Sequence, residues 1–368
     1  MPERGGVLFC GGGTGGHVHP GLAVAAHLAD RPRSWIGDPE RIEAKLVPGA
    51  GIPLLPFGLR RPRIHDPRWW GHALATGWRC LRHLVERRPA AVVALGGYAS
   101  LVPGILAPLL GRPLVVFEQN AHPGRTNRLL ARRASLVVTQ FDQAHPRLGR
   151  RCLRLGNPIR VIGPSERGGA PRLRVLVVGG SLAAKSLNDL VALAAPQLKE
   201  HGGIEIVHLA GDQDRGRIEG IYQAAGLPHE VHGYWSDMPG LYRRIDVAVT
   251  RAGATTVAEL CAAGIPALYI PLPWAAEDHQ TANARAVAAW GGAEVMAQAE
   301  ATPEKVAAWL RALADDRARV RAMAAAALGP ARPHAARVCA GIVRHLAARR
   351  TRRAERRAAA RSGVRAWT

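Results

Sequence analysis

Short, nearly continuous apolar runs recur along this chain, many closed by glycine or a polar turn and followed by a stretch in which apolar residues return every three or four positions. A run buried on both faces reads as a strand of a parallel sheet, and the helical period after it reads as the crossover that covers the sheet. In the first half the pattern predicts strands over Val7–Cys10, Ser34–Ile36, Ile52–Leu55, Ala91–Leu95, Leu114–Glu118 and Leu136–Thr139, with helices between them that include Trp69–Arg87 and Thr126–Arg132. A Gly/Pro/Ser-rich stretch from Gly163 to Pro171 interrupts the pattern. It restarts with strands over Val175–Val178, Glu205–Leu209, Val231–Gly233, Val247–Thr250 and Ala267–Ile270. Alternating strands and helices define an α/β chain, and the restart puts a domain boundary near residue 165.

Two strand ends carry glycine turns. Val7-Leu8-Phe9-Cys10 runs into Gly11-Gly12-Gly13-Thr14-Gly15-Gly16-His17 and then a helix, and Val175-Leu176-Val177-Val178 runs into Gly179-Gly180-Ser181 and a second helix. Glycine lets the backbone turn sharply and approach a ligand, while the N–H groups at the following helix start attract a diphosphate. Two such units predict two Rossmann-like doubly wound domains facing an interdomain cleft. Gly11-x-Gly13-x-x-Gly16 also fits the dinucleotide fingerprint, with Asp38 as the ribose-binding acid, so an NAD- or FAD-dependent oxidoreductase is a rival from another class. His17 directly after the last glycine, and a second phosphate-type loop, weigh against it.

Composition sharpens the choice of partner. The chain has 368 residues, 48% of them hydrophobic, enough for two cores, and 50 Lys+Arg against 28 Asp+Glu give a formal charge of +22. That excess favours a polyanion. Nine arginines lie between Arg344 and Thr368 against the single acid Glu355. Such a block reads as a solvated or disordered extension, as a tether to anionic lipid, or, with no recognised motif beside it, last of all as a nucleic-acid arm. Cys10, Cys80, Cys152, Cys261 and Cys339 are scattered without a C-x-x-C pair, which suggests neither a disulfide framework nor a zinc site. Met1-Pro2-Glu3-Arg4 leads straight into a strand with no apolar signal segment, so a cytoplasmic protein is expected. Pro89 to Gly111 is uncharged and long enough to span a bilayer, but its three prolines and four glycines predict a strand, a turn and a short buried helix instead.

The motifs together resemble a known family. Gly12-Gly13-Thr14-Gly15-Gly16-His17-Val18, followed by Pro20-Gly21-Leu22-Ala23-Val24-Ala25, is similar to the first glycine loop of MurG-type enzymes, GT-B glycosyltransferases that move N-acetylglucosamine from UDP to undecaprenyl-diphospho-muramoylpentapeptide. The likeness recurs in order at Gly96-Gly97-Tyr98-Ala99-Ser100, Glu118-Gln119-Asn120-Ala121, Gly156-Asn157-Pro158-Ile159-Arg160 and Gly179-Gly180-Ser181. It continues at Arg251-Ala252-Gly253-Ala254-Thr255-Thr256-Val257-Ala258-Glu259 and Asp278-His279-Gln280-Thr281-Ala282-Asn283.

The chemistry of these positions stands beside the resemblance. Glu259 lies on a helix opened by Gly253, where a carboxylate can accept from ribose hydroxyls, and the N–H groups and hydroxyls of Ala254, Thr255 and Thr256 can meet an α-phosphate. A helix charge complementing the dipole is the alternative for Glu259. The resemblance adds Thr14, Gly15, Gly16, Asn120 and Arg160 to the donor contacts, together with Ser181 near the phosphates, Val257, Ala258, and Gln280 at the sugar hydroxyls. It gives Gly96, Gly97 and Tyr98 to the acceptor side. His17 is the candidate base for the acceptor's 4-hydroxyl, since imidazole titrates near neutral pH; the alternative is that it bonds the loop or the acceptor diphosphate, and the resemblance leaves the base open.

The implied reaction is direct displacement with inversion, the leaving UDP stabilised by helix N–H groups and Arg160, with no cofactor and no metal. Asp212-Gln213-Asp214 spells the D-x-D of some metal-dependent transferases, but a turn rich in Asp after a strand is ordinary. A polyprenyl acceptor demands a membrane surface, and Trp69, Trp70, Leu74, Trp78, Arg79 and Arg82 form an aromatic and basic helix suited to the interface, as in MurG-like proteins; a core helix is the alternative. The expected organisation is an acceptor- and membrane-binding domain over 1–163 with a C-terminal helix near 332–348 packing back on it, a UDP-sugar domain over 164–331, and a disordered basic tail over 349–368. Expected partners are UDP-N-acetylglucosamine, the lipid-linked muramoylpentapeptide, an anionic membrane at its cytoplasmic face and other cell-wall synthesis enzymes, with no nucleic acid.

Three features depart from the family pattern. Leu182 and Ala183 stand where a glutamine and a glycine are usual, Phe117 replaces a histidine, and the end of the chain has no counterpart. Transfer to another lipid and a noncatalytic scaffold are the remaining rivals. The full loop signatures argue against the first, and the presence of Glu259 and Gln280 argues against the second.

Overall fold

The computed structural model describes residues 5–60, 65–149, 151–160, 162–165, 171–180, 184–274 and 276–361. It divides into two compact units, Met1–Arg160 with His334–Thr368, and Val161–Pro333.

The first unit is built on β1 (Val7–Cys10), β2 (Arg33–Ile36), β3 (Leu54–Leu55), β4 (Ala91–Ala94), β5 (Leu114–Glu118), β6 (Leu136–Thr139) and β7 (Cys152–Arg154). These form one seven-stranded sheet in the order β3-β2-β1-β4-β5-β6-β7, every neighbouring pair parallel. Alternation within β1 fills both layers. Val7 and Phe9 join the core with Val18, Val24 and Trp35, whereas Leu8 and Cys10 join the opposite core with Cys80 and Leu84. Phe9 and Trp35 stack at 5.5 Å.

The strand order reverses between β1 and β4, so the loops that follow them diverge to opposite faces and open a crevice at their carboxyl ends. Gly11–Gly13 and Gly96–Gly97 occupy that place.

Within the second unit, β8 (Leu173–Val178), β9 (Ile204–Leu209), β10 (His229–His232), β11 (Val247–Thr250), β12 (Ala267–Tyr269) and β13 (Ala293–Val295) form a parallel sheet in the order β10-β9-β8-β11-β12-β13. Its reversal lies between β8 and β11, which puts the loops after Val178 and Thr250 side by side. Two doubly wound parallel sheets are the fold class expected from the sequence.

Several elements differ from the sequence expectation. β7 and β13 are edge strands of three residues with no apolar run to announce them. β3 shrinks from Ile52–Leu55 to two residues because Pro53 has no N–H for the ladder, though its carbonyl still accepts Trp35 N–H at 3.0 Å. The last helix, Ala335–Arg361, continues well past 349, where an irregular tail is expected, because alanine and arginine are strong helix formers. It packs Cys339, Ala340, Val343 and Ala347 into the first unit's core, and Arg344 bonds His27 O at 2.9 Å and Asp30 at 2.8 Å. Residues 362–368 lie outside the described residues.

A buried polar network braces the second unit. His208 is fully buried between Tyr222 (2.8 Å from Nδ1) and Asn188 Oδ1 (2.9 Å from Nε2). A carbonyl oxygen only accepts, so Nε2 carries the proton and Nδ1 accepts from the Tyr222 hydroxyl. Burial pushes the His208 imidazole from the usual 6.5 down to about 3, keeping it neutral. Between those values the unfolded chain holds a proton that the folded chain refuses. The stability that this neutral imidazole contributes is full above pH 6.5 and is lost as pH falls toward about 3, at about 1.4 kcal/mol per pH unit. Urea unfolding at stepped pH is expected to show this slope and His208→Gln to flatten it; an equal slope in the variant would remove His208 from the linkage.

Candidate active site

At the first unit's crevice the backbone is packed too closely for side chains. A Cβ at Gly12 would overlap the Glu43 carboxylate, and one at Gly97, whose φ is 75°, would lie 2.8 Å from Gly12 O. Glu43, fully buried, accepts Gly13 N–H at 2.9 Å and Asp38 N–H at 3.0 Å, so one carboxylate ties the turn after β1 to the turn after β2. Trp35 Nε1 adds a bond to Gly11 O at 2.8 Å.

This turn sets His17. Its Nδ1 lies 3.0 Å from Gly12 O and 3.5 Å from Thr14 Oγ1, and since the carbonyl accepts, Nδ1 is the protonated nitrogen and Nε2 the basic one. Nε2 lies against Gly96, where an added Cβ would be 3.1 Å away. Thr14 is the N-cap of helix Gly15–Ala26, with Gly15 and Gly16 in its first turn. His19, further along that helix, has its imidazole pushed down from the usual value by burial and by the nearby Arg160 guanidinium.

Glu118, at the end of β5, organises the next loop. One oxygen accepts Asn120 N–H at 2.9 Å and Asn120 Nδ2 at 3.3 Å; the other accepts Gly124 N–H at 3.1 Å and Asn127 Nδ2 at 2.9 Å. Burial raises the Glu118 carboxyl above the ordinary value, against the pull of those donors. A cavity of about 690 Å³ opens at the crevice, lined by Gly12, Thr14, His17, Gly97 and Tyr98 on one side and by Arg60, Arg68, Trp69 and His72 on another. Arg60 and His72 carry no motif and are absent from the sequence-based site.

Trp69 is half-buried, with Nε1 3.4 Å from Arg60 O and its ring edge-on to that of Trp70 at 4.9 Å. Trp70 (52% exposed), Leu74 (76%) and Trp78 (67%) follow at four-residue spacing on the open face of helix Pro67–Arg87, beside exposed Arg79 and Arg82. The opposite face buries Thr76, Cys80 and Leu84.

In the second unit, helix Ala254–Ala263 starts at the crevice between β8 and β11. Gly253 offers no side-chain cap to its first turn, and Thr255 Oγ1 is buried without a hydrogen bond among the described residues. Val257 and Ala258 continue the helix to Glu259, which is buried and accepts the Tyr242 hydroxyl at 2.8 Å. Gln280 accepts Leu272 N–H at 3.0 Å through Oε1, which directs its NH₂ as a donor. Ser181, Leu182 and Ala183 lie outside the described residues.

Arg251, which carries no assigned role in the sequence reading, is the polar hub here. Buried, it donates to Ile270 O at 2.8 Å, Gln298 Oε1 at 2.6 Å and Ser186 Oγ at 2.8 Å. Nothing local in the sequence marks Ser186 or Gln298 as its partners. Within Asp212-Gln213-Asp214, the Asp214 carboxylate is engaged by Arg217 and Asn188, which hold it down to about 2.

Comparison with known proteins places these features. The Glycosyltransferase family 28 N-terminal domain matches residues 7–139 and the Glycosyltransferase family 28 C-terminal domain residues 174–338. The chain is 42% identical over 349 residues to the UDP-N-acetylglucosamine--N-acetylmuramyl-(pentapeptide) pyrophosphoryl-undecaprenol N-acetylglucosamine transferase of Alkalilimnicola ehrlichii, covering 91% of this chain and 97% of that one. It is 42% identical over 348 residues to the transferase of the same name from Halorhodospira halophila, covering 89% and 95%. The crystal structure of Acinetobacter baumannii MurG matches at a TM-score of 0.80 and 32% identity, covering 94% of this chain and 100% of that one. A calicheamicin glycosyltransferase, at 18% identity and a TM-score of 0.64, covering 95% and 99%, shares the fold alone.

Two Rossmann-like sheets, each with glycine turns at its switch point, together with the two matched family 28 domains make the chain a GT-B glycosyltransferase. Full-length identity above 40% to named transferases narrows that class. The chain belongs to the MurG family within glycosyltransferase family 28.

Removing the Glu43 carboxylate takes the acceptor from the half-buried Asp38 N–H, at about 1–3 kcal/mol, and from the Gly13 N–H, which water can reach. Glu43→Ala is therefore expected to lower the unfolding free energy by about 1–3 kcal/mol in urea titrations. A loss below about 0.5 kcal/mol, the range of an ordinary surface change, would show that the turn holds without it.

Proposed function

We infer that this protein transfers N-acetylglucosamine from UDP-N-acetylglucosamine to the 4-hydroxyl of the muramoyl sugar of undecaprenyl-diphospho-muramoylpentapeptide, forming lipid II of peptidoglycan synthesis. The observation that carries this function is a chain of the MurG family that keeps both halves of the chemistry: a buried carboxylate beside a helix start without a side-chain cap in the second unit, and a His17-lined cavity of about 690 Å³ in the first.

The second unit takes the UDP sugar. Glu259 accepts from the ribose hydroxyls, the start of helix Ala254–Ala263 with Thr255 and Thr256 meets the diphosphate, and the Gln280 amide donates to the sugar. The family resemblance is the support for Thr14, Gly15, Gly16, Asn120, Arg160 and Ser181 as further donor contacts. The first unit takes the acceptor in the cavity bounded by Gly96, Gly97 and Tyr98. His17 Nε2 removes the proton of the 4-hydroxyl as its oxygen bonds to the anomeric carbon, and the bond from that carbon to the β-phosphate oxygen breaks with its electron pair leaving on UDP. Attack opposite the leaving group inverts an α-linked donor to a β-linked product. Helix N–H groups and Arg160 oppose the charge developing on UDP.

The test follows label from radiolabelled UDP-N-acetylglucosamine into a short-chain lipid I analogue in detergent. Transfer requiring the muramoyl acceptor is expected, with Glu259→Ala raising the KM for UDP-N-acetylglucosamine about tenfold or more and His17→Ala lowering kcat about a hundredfold. Retained UDP binding without transfer would redirect the search to other acceptors, and unchanged kinetics in both variants would sink the site assignment.

The acceptor's polyprenyl chain requires a membrane surface, and the cytoplasmic face of the cell membrane, held peripherally, is the proposed location. Among the described residues no helix is long and apolar enough to cross a membrane. Trp70, Leu74 and Trp78 form an exposed apolar stripe flanked by Arg79 and Arg82, suited to lie in the headgroup layer. Replacing all three stripe residues with serine is expected to abolish co-sedimentation with phosphatidylglycerol vesicles while UDP still binds. Equal sedimentation would reject this face as the contact.

A further inference from the structure

The nucleotide carboxylate of the second unit is held by a neutral hydroxyl from a separate helix. Tyr242 is 1% exposed and donates to Glu259 Oε2 at 2.8 Å. Its helix, Met238–Arg243, is short but fixed at both ends. Asp237 accepts Gly240 N–H on its side chain and Trp235 Nε1 on its carbonyl, both at 3.0 Å, and a Cβ at Gly240 would overlap the Asp237 carboxylate. At the other end Ile245 N–H returns to Tyr242 O at 3.3 Å, two residues before β11 begins.

The terminal torsion of a glutamate side chain is broad, so an unrestrained carboxylate turns freely about its axis. A vicinal diol needs both oxygens in one plane. A donor fixed on Oε2 sets that plane. A phenol does so without neutralising the charge, whereas an arginine or lysine would compete with the ligand's hydroxyls for the same oxygens.

We propose that Tyr242 is a positioning residue that turns the Glu259 carboxylate to receive the cis-diol of the nucleotide ribose. The proposal rests on the ribose-binding role of Glu259 given above. It predicts an effect confined to ligands that carry the diol.

Calorimetric titration of the full chain with UDP and with 2′,3′-dideoxy-UDP tests it in the wild type, Tyr242→Phe, Glu259→Ala and the double variant. Tyr242→Phe is expected to weaken UDP about tenfold, to leave dideoxy-UDP within about twofold, and to add nothing once Glu259 is gone. The KM for UDP-N-acetylglucosamine rises in step while kcat holds. Equal weakening of both nucleotides would mean a general loosening of the fold and would overturn the proposal. Unchanged UDP affinity in Tyr242→Phe, with Glu259→Ala still weakened, would overturn it while the role of Glu259 stands. Unchanged affinity in Glu259→Ala would remove the ribose role itself, and the proposal with it.

Discussion

Buried completely and bonded by two backbone N–H groups, the Glu43 carboxylate holds the glycine turn after β1 against the turn after β2. The position of Gly12 O follows from that clasp, and with it the orientation and tautomer of His17, which bonds the same carbonyl at 3.0 Å. Gly97 approaches Gly12 from the β4 side, so both walls of the crevice are set by one close-packed backbone contact. A buried carboxylate suits this task because it accepts two N–H groups at once and its desolvation is offset only where both are present.

The second unit solves the same topological problem with different chemistry. Its crevice again lies where the strand order reverses, but the loops around it are fastened by a cation, the Arg251 guanidinium, which reaches the helix after β8, the end of β12 and Gln298. The partners of Arg251 among the described residues are neutral: a backbone carbonyl, an amide oxygen and a hydroxyl. The neutral His208 joins β9 to the helix that carries Asn188.

The outer surface follows from a helix divided between two tasks. Helix Pro67–Arg87 buries Cys80 and Leu84 against the sheet, turns Trp69 toward the cavity and leaves Trp70, Leu74 and Trp78 on its open face. Neighbouring tryptophans therefore meet different surroundings, since consecutive helical positions are about 100° apart. The last helix closes the first unit from the far end of the chain, and its small residues Ala340 and Ala347 allow close contact with the core.

The sequence by itself determined the two parallel sheets, because strands buried on both faces are written as continuous apolar runs, and it determined the loop motifs, because glycine, His17, Glu259 and Gln280 sit at fixed distances from those runs. It did not announce β7 and β13, whose short edge positions need no apolar run, or the helical course of the chain past 349. The partners of the site residues were settled only by the tertiary structure. Glu43 lies 30 residues from Gly13, Tyr242 lies 17 from Glu259, and Gln298 lies 47 from Arg251. Such pairs leave no periodic trace, since a buried polar group is satisfied by whatever donor or acceptor the packed chain brings within about 3 Å, and that choice exists only after the sheets have formed.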